Sequence, residues 1–235
     1  MNRVVISDHE DADAVARNAA RDLAKELGRL LDAQLSVNLV LTGGTVGIKT
    51  LSELTPLVDG VDLSRLQIWW GDERFVESNS PDRNSVQACD VLLSRIQIPG
   101  GNIHPMPSPE DGDLLAAAKA FSKSIGSDLP SFDIVLLGMG PDGHVASLFP
   151  GSTAIEFGKW VVAEPNSPKP PQQRISLSYE ALSSAKQVWF LVSGEDKAGA
   201  VSRVFHGEDL PATKVSGKEQ TKWYLDKAAA ARITS

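Results

Sequence analysis

The sequence has few of the residues that would tie it to an oxidising compartment, a membrane or nucleic acid. One cysteine, Cys89, rules out an internal disulfide, so a reducing cytoplasm is the expected location. No apolar run approaches the roughly eighteen residues of a transmembrane helix, and the acidic N-terminus has neither the charged nor the apolar region of a signal peptide. We therefore expect no membrane partner.

A basic excess and metal-ligand spacing are also missing. The net charge of −7 argues against a nucleic-acid partner, and an anionic ligand would have to be held by a few local Arg and Lys residues. The four histidines and the cysteine lack the spacing of a zinc site, so we expect no metal.

The apolar pattern predicts an α/β protein with a mostly parallel sheet, and no repeat or linker divides residues 1–235 into more than a single domain. Strands are expected at residues 3–6, 37–41, 66–70, 134–137, 159–163, 174–177 and 188–192. Helices are expected at residues 8–33, 46–54, 85–95, 109–125, 197–206 and 223–232. Ser7 and Glu10 form a possible capping box for the first helix. Cys89 is interpreted as a small core residue, and the Pro-rich loop 164–173 as a mobile cover.

The most informative segment is 132–152, where a buried strand runs into glycines, an acid and a histidine. Ligands of open α/β sheets bind beyond the carboxyl ends of the strands, so Asp142 and His144 are the first candidates for a functional site. Histidine both accepts and gives a proton near neutral pH. The alternatives are a histidine with a packing role and an aspartate that only forms a turn.

Gly138, Gly140 and Gly143 have the spacing of a dinucleotide-binding loop, and Glu164 lies about twenty residues further on. We reject that interpretation because Pro150-Gly151 would end any helix within about two turns of Gly143. Pro141, moreover, has no backbone N–H to offer a phosphate.

Three other strand ends also carry polar residues. The Gly43-Gly44-Thr45 turn precedes a helix and is suited to a phosphate, although it could be only a tight βα turn. Arg74 and Arg83 are candidate phosphate ligands, although single arginines are more often surface ion-pair partners. Lys197 begins a helix, where a cation opposes the helix dipole, so we expect it to meet an anion. These strand ends should converge on one edge of the sheet, around Asp142 and His144.

Three motifs identify a resemblance. They are Trp70-Gly71-Asp72-Glu73-Arg74 with Asn84 downstream, the glycine-rich segment 138–150, and Gly194-x-x-Lys197-Ala198. Because these motifs occur in the order and spacing of the family, the chain resembles the 6-phosphogluconolactonases. The resemblance implies a Rossmann-like three-layer sandwich, as in the glucosamine-6-phosphate deaminase and ribose-5-phosphate isomerase group. It also implies hydrolysis of 6-phospho-D-glucono-1,5-lactone to 6-phosphogluconate, in the oxidative pentose phosphate pathway, without metal or cofactor.

The resemblance also assigns residue roles. It makes His144 the catalytic acid/base and places Asp142, Asp72 and Arg74 in the active site. The phosphate or sugar contacts that it implies are Gly43, Gly44, Thr45, Arg83, Arg174 and Lys197. The chain departs from the family at one turn, where Ser-Gly-Gly-Ser-x-Pro is replaced by residues 42–47, which keep the hydroxyls and lack the proline.

Two other functions remain open at this stage. An isomerase or deaminase of sugar phosphates would need a carboxylate base, and Asp72 could serve. A non-catalytic sensor would bind 6-phosphogluconate through Arg83, Arg174 and Lys197, but it would have no use for a proton shuttle. The expected partner is a small sugar-phosphate lactone, and the sequence leaves monomer and weak dimer open.

Overall fold

A computed structural model describes residues 3–126 and 130–233 of the chain. The strands in these residues are β1 (Arg3–His9), β2 (Val37–Leu41), β3 (Leu66–Trp70), β4 (Asp72–Arg74), β5 (Ile134–Leu137), β6 (Ile155–Phe157), β7 (Val161–Glu164), β8 (Arg174–Leu177), β9 (Gln187–Val192) and β10 (Gln220–Asp226). The α-helices are α1 (Ala12–Ala33), α2 (Thr45–Leu54), α3 (Asn84–Ala88), α4 (Leu114–Ile125), α5 (Tyr179–Ser183), α6 (Ala198–Phe205) and α7 (Lys227–Ala230). Among the described helices none is long and apolar enough to cross a membrane.

Six strands form one sheet in the order β1-β10-β9-β5-β2-β3, and every pair in it is parallel. Apolar residues of α1, α2 and α3 pack against one face of this sheet, and those of α4 to α7 against the other. The predicted three-layer α/β architecture is therefore confirmed.

β5 shows why this sheet forms at its centre. All four of its residues are buried. Ile134 and Leu136 belong to one core cluster, and Val135 and Leu137 to the other. Since successive side chains of a strand point to opposite faces, a strand covered on both faces has to be apolar throughout.

A second sheet, with the order β4-β8-β7-β6 and antiparallel pairing, was missed by the sequence analysis. β4 and β6 have three residues each, which is too short for a periodic signal. β4 begins one residue after β3, so the chain passes from the first sheet to the second at Gly71. The pairing of β4 with β8 sets Arg74 opposite Arg174.

The predicted final helix at 223–232 is wrong. Residues up to Asp226 belong to β10, and only the short α7 follows. β10 lies between β1 and β9, with Trp223 and Leu225 in one core cluster and Tyr224 in the other. An internal strand with two apolar faces has no polar alternation, and its periodicity resembles that of a buried helix.

Two smaller predictions are also wrong. The capping box of Ser7 and Glu10 does not form, because β1 continues to His9 and the Asp11 carboxylate accepts the Ala14 N–H at 2.8 Å instead. Cys89 is exposed rather than part of the core. It follows the buried Ala88, at the point where α3 gives way to a π-helical segment over Cys89–Leu93.

Asp133 provides a test of how the strands are joined at the amino end of the sheet. Its carboxylate is 2% exposed, accepts the Asn38 N–H at 2.8 Å, and pairs with Lys186 Nζ at 2.7 Å. Asp133→Ala leaves the Asn38 N–H without this acceptor and leaves Lys186 with the Gln34 side-chain oxygen, 3.1 Å away, in place of a carboxylate. Urea denaturation should therefore show a loss of about 1–3 kcal/mol in the free energy of unfolding. Asp209→Ala removes an exposed pair with Lys214 and should change this free energy little. Equal losses in the two variants would contradict the role given to Asp133.

Candidate active site

The four polar strand ends meet at one cavity. Its volume is about 570 Å³, and it lies at the carboxyl edge of the parallel sheet. Its lining includes Gly43, Gly44, Thr45, Asp72, Arg74, Gly138, Gly140, His144, Lys169, Arg174, Ser193 and Lys197. The predicted convergence is therefore present, and most of the predicted site residues line one cavity.

A tight turn after β5 fixes the histidine. The Gly143 N–H donates to the Gly140 carbonyl at 3.0 Å, and the Gly140 N–H donates to the His144 carbonyl at 2.9 Å. Gly143 has a φ of +81°, a conformation that favours glycine. No helix begins at Gly143 within the described chain, which agrees with rejecting the dinucleotide interpretation.

His144 and Asp142 form a close pair. His144 Nδ1 lies 2.5 Å from Asp142 Oδ1. An ionised carboxylate only accepts hydrogen bonds, so this contact assigns the imidazole proton to Nδ1 and leaves the lone pair on Nε2. Nε2 has no hydrogen bond to any residue in 3–126 or 130–233. Asp142 itself lies outside the main cavity and lines an adjoining one.

The surroundings of the pair favour a neutral imidazole. Burial lowers the pKa of His144, and the charge of Lys169 adds to this, while Asp142 and Asp72 oppose it. The Phe149 ring, centred 4.6 Å away, supplies part of the apolar cover. For Asp142, burial raises the pKa, but hydrogen bonding to His144 and the imidazole charge outweigh it, and the net shift is downward. Near neutral pH the pair is therefore a carboxylate beside a neutral histidine.

Asp72 lies on β4 and makes hydrogen bonds that do not involve the His144–Asp142 pair. Ser147 Oγ donates to Asp72 Oδ2 at 2.6 Å, and Asn84 Nδ2 donates to the Asp72 carbonyl at 2.9 Å. Asn84 packs so closely on Gly43 that a Cβ at Gly43 would lie 1.9 Å from its Oδ1. Asn84 thus joins the β4 wall of the cavity to the glycine turn before α2.

Glu73 follows Asp72 on β4, so its side chain lies on the opposite face of that strand. Its carboxylate is 1% exposed and accepts the backbone N–H groups of Arg74, Asn84 and Ser85 at 2.8, 2.7 and 2.9 Å. Sequence reasoning gave no role to Glu73 or Ser147, because a glutamate and a serine are usually exposed. The available signal was the place of Glu73 in the motif Trp70-Gly71-Asp72-Glu73-Arg74, directly after the predicted strand 66–70.

Cations surround the rest of the cavity. Arg74 and Arg174 face each other across the β4–β8 pair, and Lys197 Nζ lies 2.5 Å from Asp196 Oδ2. Arg174 Nε donates to the Pro171 carbonyl at 2.7 Å. Burial lowers the pKa of Arg174, and the charge of Arg74 adds to this, although Asp72 opposes it. Glu73 and Asp82 oppose it as well, and of the three carboxylates only Asp72 lines the cavity with the two guanidinium groups. This arrangement is suited to an anion.

The glycine turn before α2 adds backbone donors to these cations. Gly44 has a φ of +79° and immediately precedes α2, with no side chain capping the helix. Residues 45–47 line the cavity at the first turn, where helix N–H groups have no partner within the helix. This geometry is suited to a phosphate.

Arg83 does not line this cavity. Its guanidinium donates to the carbonyls of Val76, Met106 and Pro107 at 3.2, 2.6 and 3.3 Å, and its Nε lies 3.5 Å from Glu73. Its side chain is 3% exposed. The predicted phosphate contact of Arg83 therefore has no support from its position, and the residue joins loops to the buried Glu73.

Lys169, which the sequence analysis did not single out, lines the cavity from the Pro-rich loop.

Comparisons with known proteins agree with this fold. A model of the family glucosamine-6-phosphate isomerases/6-phosphogluconolactonase matches residues 10–223. The 6-phosphogluconolactonase of Mycobacterium tuberculosis is 40% identical over 238 residues, covering 96% of both chains. The crystal structure of 6-phosphogluconolactonase from Thermotoga maritima has a TM-score of 0.86 at 30% identity, covering 96% of this chain and 100% of that one. A monomeric glucosamine-6-phosphate deaminase, 22% identical with a TM-score of 0.79 and coverage of 97% and 99%, shares the fold.

Gly140 provides a test of the close packing around the histidine. A Cβ at Gly140 would lie 2.0 Å from His144 Cε1 and 2.6 Å from Asp142 Oδ1, so Gly140→Ala must displace the imidazole. His144 is the predicted catalytic group, and displacing such a group by about 1 Å is costly, so we expect kcat to fall by about 10²-fold or more while the protein stays folded. Gly28→Ala is the control, since Gly28 lies in α1 away from the cavity and its Cβ would meet nothing within 4 Å. Similar activity in the two variants would contradict this packing.

Proposed function

Since the chain belongs to the glucosamine-6-phosphate isomerase/6-phosphogluconolactonase family, we propose that it hydrolyses 6-phospho-D-glucono-1,5-lactone to 6-phospho-D-gluconate in the oxidative pentose phosphate pathway. One observation carries this proposal. The His144–Asp142 pair presents an unpaired Nε2 to a cavity that also holds Arg74, Arg174 and Lys197. A proton-transfer group beside an anion site is what a phosphorylated lactone requires.

In the proposed mechanism, His144 Nε2 removes a proton from a water molecule as that water attacks the lactone carbonyl. Asp142 keeps the other imidazole proton on Nδ1 and stabilises the imidazolium that forms. The ring oxygen then leaves and takes the proton from Nε2. The acid that is formed ionises at neutral pH, so one proton is released for each lactone opened. These steps use only groups of the chain and water.

The negative charge that develops on the carbonyl oxygen needs a donor. Arg74, on the cavity wall, and the backbone N–H groups of the turn around 140–143 are the candidates. Arg74 Nε is buried without a hydrogen-bond partner among the described residues. Buried donors without a partner are rare and often mark a functional site, so Arg74 is the donor we favour.

The phosphate would bind where cations and helix amides are combined. We assign it to Lys197, Arg174 and the residues 43–45 that open α2, all of which line the cavity. Among the described residues, only Nε and Nη2 of Arg174 donate to protein carbonyls. Its Nη1 is therefore available to an anion. We also propose a cytoplasmic location, because a chain with a single cysteine forms no internal disulfide.

The arrangement around Asp72 disfavours the isomerase or deaminase alternative. A carboxylate base for proton transfer between sugar carbons must be free to take a proton. Asp72 Oδ2 accepts the Ser147 hydroxyl at 2.6 Å, and Oδ1 lies 3.4 Å from Asn84 Nδ2. Both oxygens therefore already accept hydrogen bonds within the protein, which leaves the carboxylate less free to contact a sugar carbon.

The proposal is tested by proton release from freshly prepared 6-phosphogluconolactone, with the uncatalysed rate subtracted. His144→Gln keeps the size of the side chain and lacks a proton-transfer group, so kcat should fall by about 10²–10⁴-fold with KM little changed. Glucosamine 6-phosphate and ribose 5-phosphate should not be turned over by the wild type. Wild-type turnover of either sugar phosphate with no acceleration of lactone opening would contradict the proposal.

A further inference from the structure

Lys169 is a cation of the cavity with no assigned role. It lines the cavity together with Arg74, Arg174 and Lys197. Arg74 donates to the backbone carbonyl of Asp82, and Arg174 donates to loop carbonyls. Lys197 forms an ion pair with Asp196. Among the cavity cations of the described chain, the Lys169 ammonium is the one without such a partner.

The backbone of Lys169 is held in place on both sides. Its N–H donates to Ser167 Oγ at 3.3 Å, and its carbonyl accepts from Arg174 Nη2 at 3.3 Å. Arg174 also donates to the carbonyls of Pro170 and Pro171, and the Ser167 N–H donates to the Gln172 carbonyl at 2.9 Å. The loop 165–173, which makes up most of the segment 164–173 predicted as a mobile cover, is therefore tied to β8, and its Lys169 lines the cavity.

The charge of Lys169 acts on two other groups that line the cavity. It adds to the effect of burial in lowering the pKa of His144. The pKa of Asp196 is lowered chiefly by its hydrogen bond with Lys197 and further by Lys169. Lys169 thus lies within electrostatic range of the histidine and of the Asp196–Lys197 pair. Its ammonium forms no hydrogen bond or ion pair with a described residue, so it is available to an anion that enters the cavity.

We propose that Lys169 is a phosphate ligand that binds the phosphate of the substrate together with Lys197. This inference rests on the proposed function, since it takes the ligand to be a phosphorylated lactone. Lys169 is exposed at the mouth of the cavity, whereas the His144 side chain is only 15% exposed. The phosphate is the part of the substrate farthest from the lactone carbonyl, so an exposed cation is better placed for the phosphate than for the carbonyl oxygen. A lysine ammonium binds phosphate as a point charge.

The test compares ligands with and without the phosphate. Lys169→Met should raise KM for 6-phosphogluconolactone about tenfold with kcat nearly unchanged, which is the effect of losing one charge-assisted hydrogen bond. Its kcat/KM for δ-gluconolactone, which has no phosphate, should equal that of the wild type. Lys169→Arg keeps the charge and should recover most of the loss. Lys159→Met is the matched control, because Lys159 is 70% exposed and lies 3.8 Å from Glu180, away from the cavity.

Calorimetry with the products separates this inference from the proposed function. Lys169→Met should bind 6-phosphogluconate about tenfold more weakly than the wild type, whether or not the protein hydrolyses the lactone. An equal loss of kcat/KM for both lactones would place Lys169 at the carbonyl and overturn the inference. Unchanged 6-phosphogluconate binding in Lys169→Met would overturn it as well. Failure of the wild type to hydrolyse the lactone would count against the proposed function alone.

Discussion

The active-site cavity depends on the parallel pairing of all six strands in the main sheet. Parallel strands all end on the same side, so residues far apart in sequence leave the sheet at one edge. The glycine turn after β2, the segment after β3, the turn with His144 after β5 and Lys197 after β9 meet there for this reason.

The second sheet converts this edge into a site with fixed charges. β4 lies against β8, which places Arg74 opposite Arg174 and brings Asp72 within reach of Ser147. Like charges at such close range would be unfavourable without partners. Protein carbonyls partly satisfy both arginines, and the buried Glu73 accepts three backbone N–H groups that hold the start of α3. Burial of the two arginines and of Glu73 costs desolvation free energy. Their hydrogen bonds with defined partners offset this cost.

The sequence predicts the parallel sheet and the site at its edge because their signals are local. An apolar run that ends in glycines and polar residues marks a strand end, as at β2 and β5, and the His144–Asp142 pair is two residues apart in the chain. Features set by tertiary contacts were not predictable in this way. β10 is apolar on both faces and has the pattern of a helix, and β4 is too short to show a period. Arg83 and Lys169 show the same limit, since only the packed structure shows which cation faces the cavity.

The central claim is that His144 is a neutral base with its proton on Nδ1. Asp142 accepts the hydrogen bond from Nδ1, and the close approach of Gly140 fixes the position of the imidazole. Nitrogen-15 NMR of the histidine-labelled protein at neutral pH measures this directly, with the His144→Gln spectrum identifying the signals. The account predicts a protonated Nδ1 and an unprotonated Nε2, since burial keeps the pKa of His144 below its ordinary value. A proton on Nε2, or an imidazolium at neutral pH, would contradict the account.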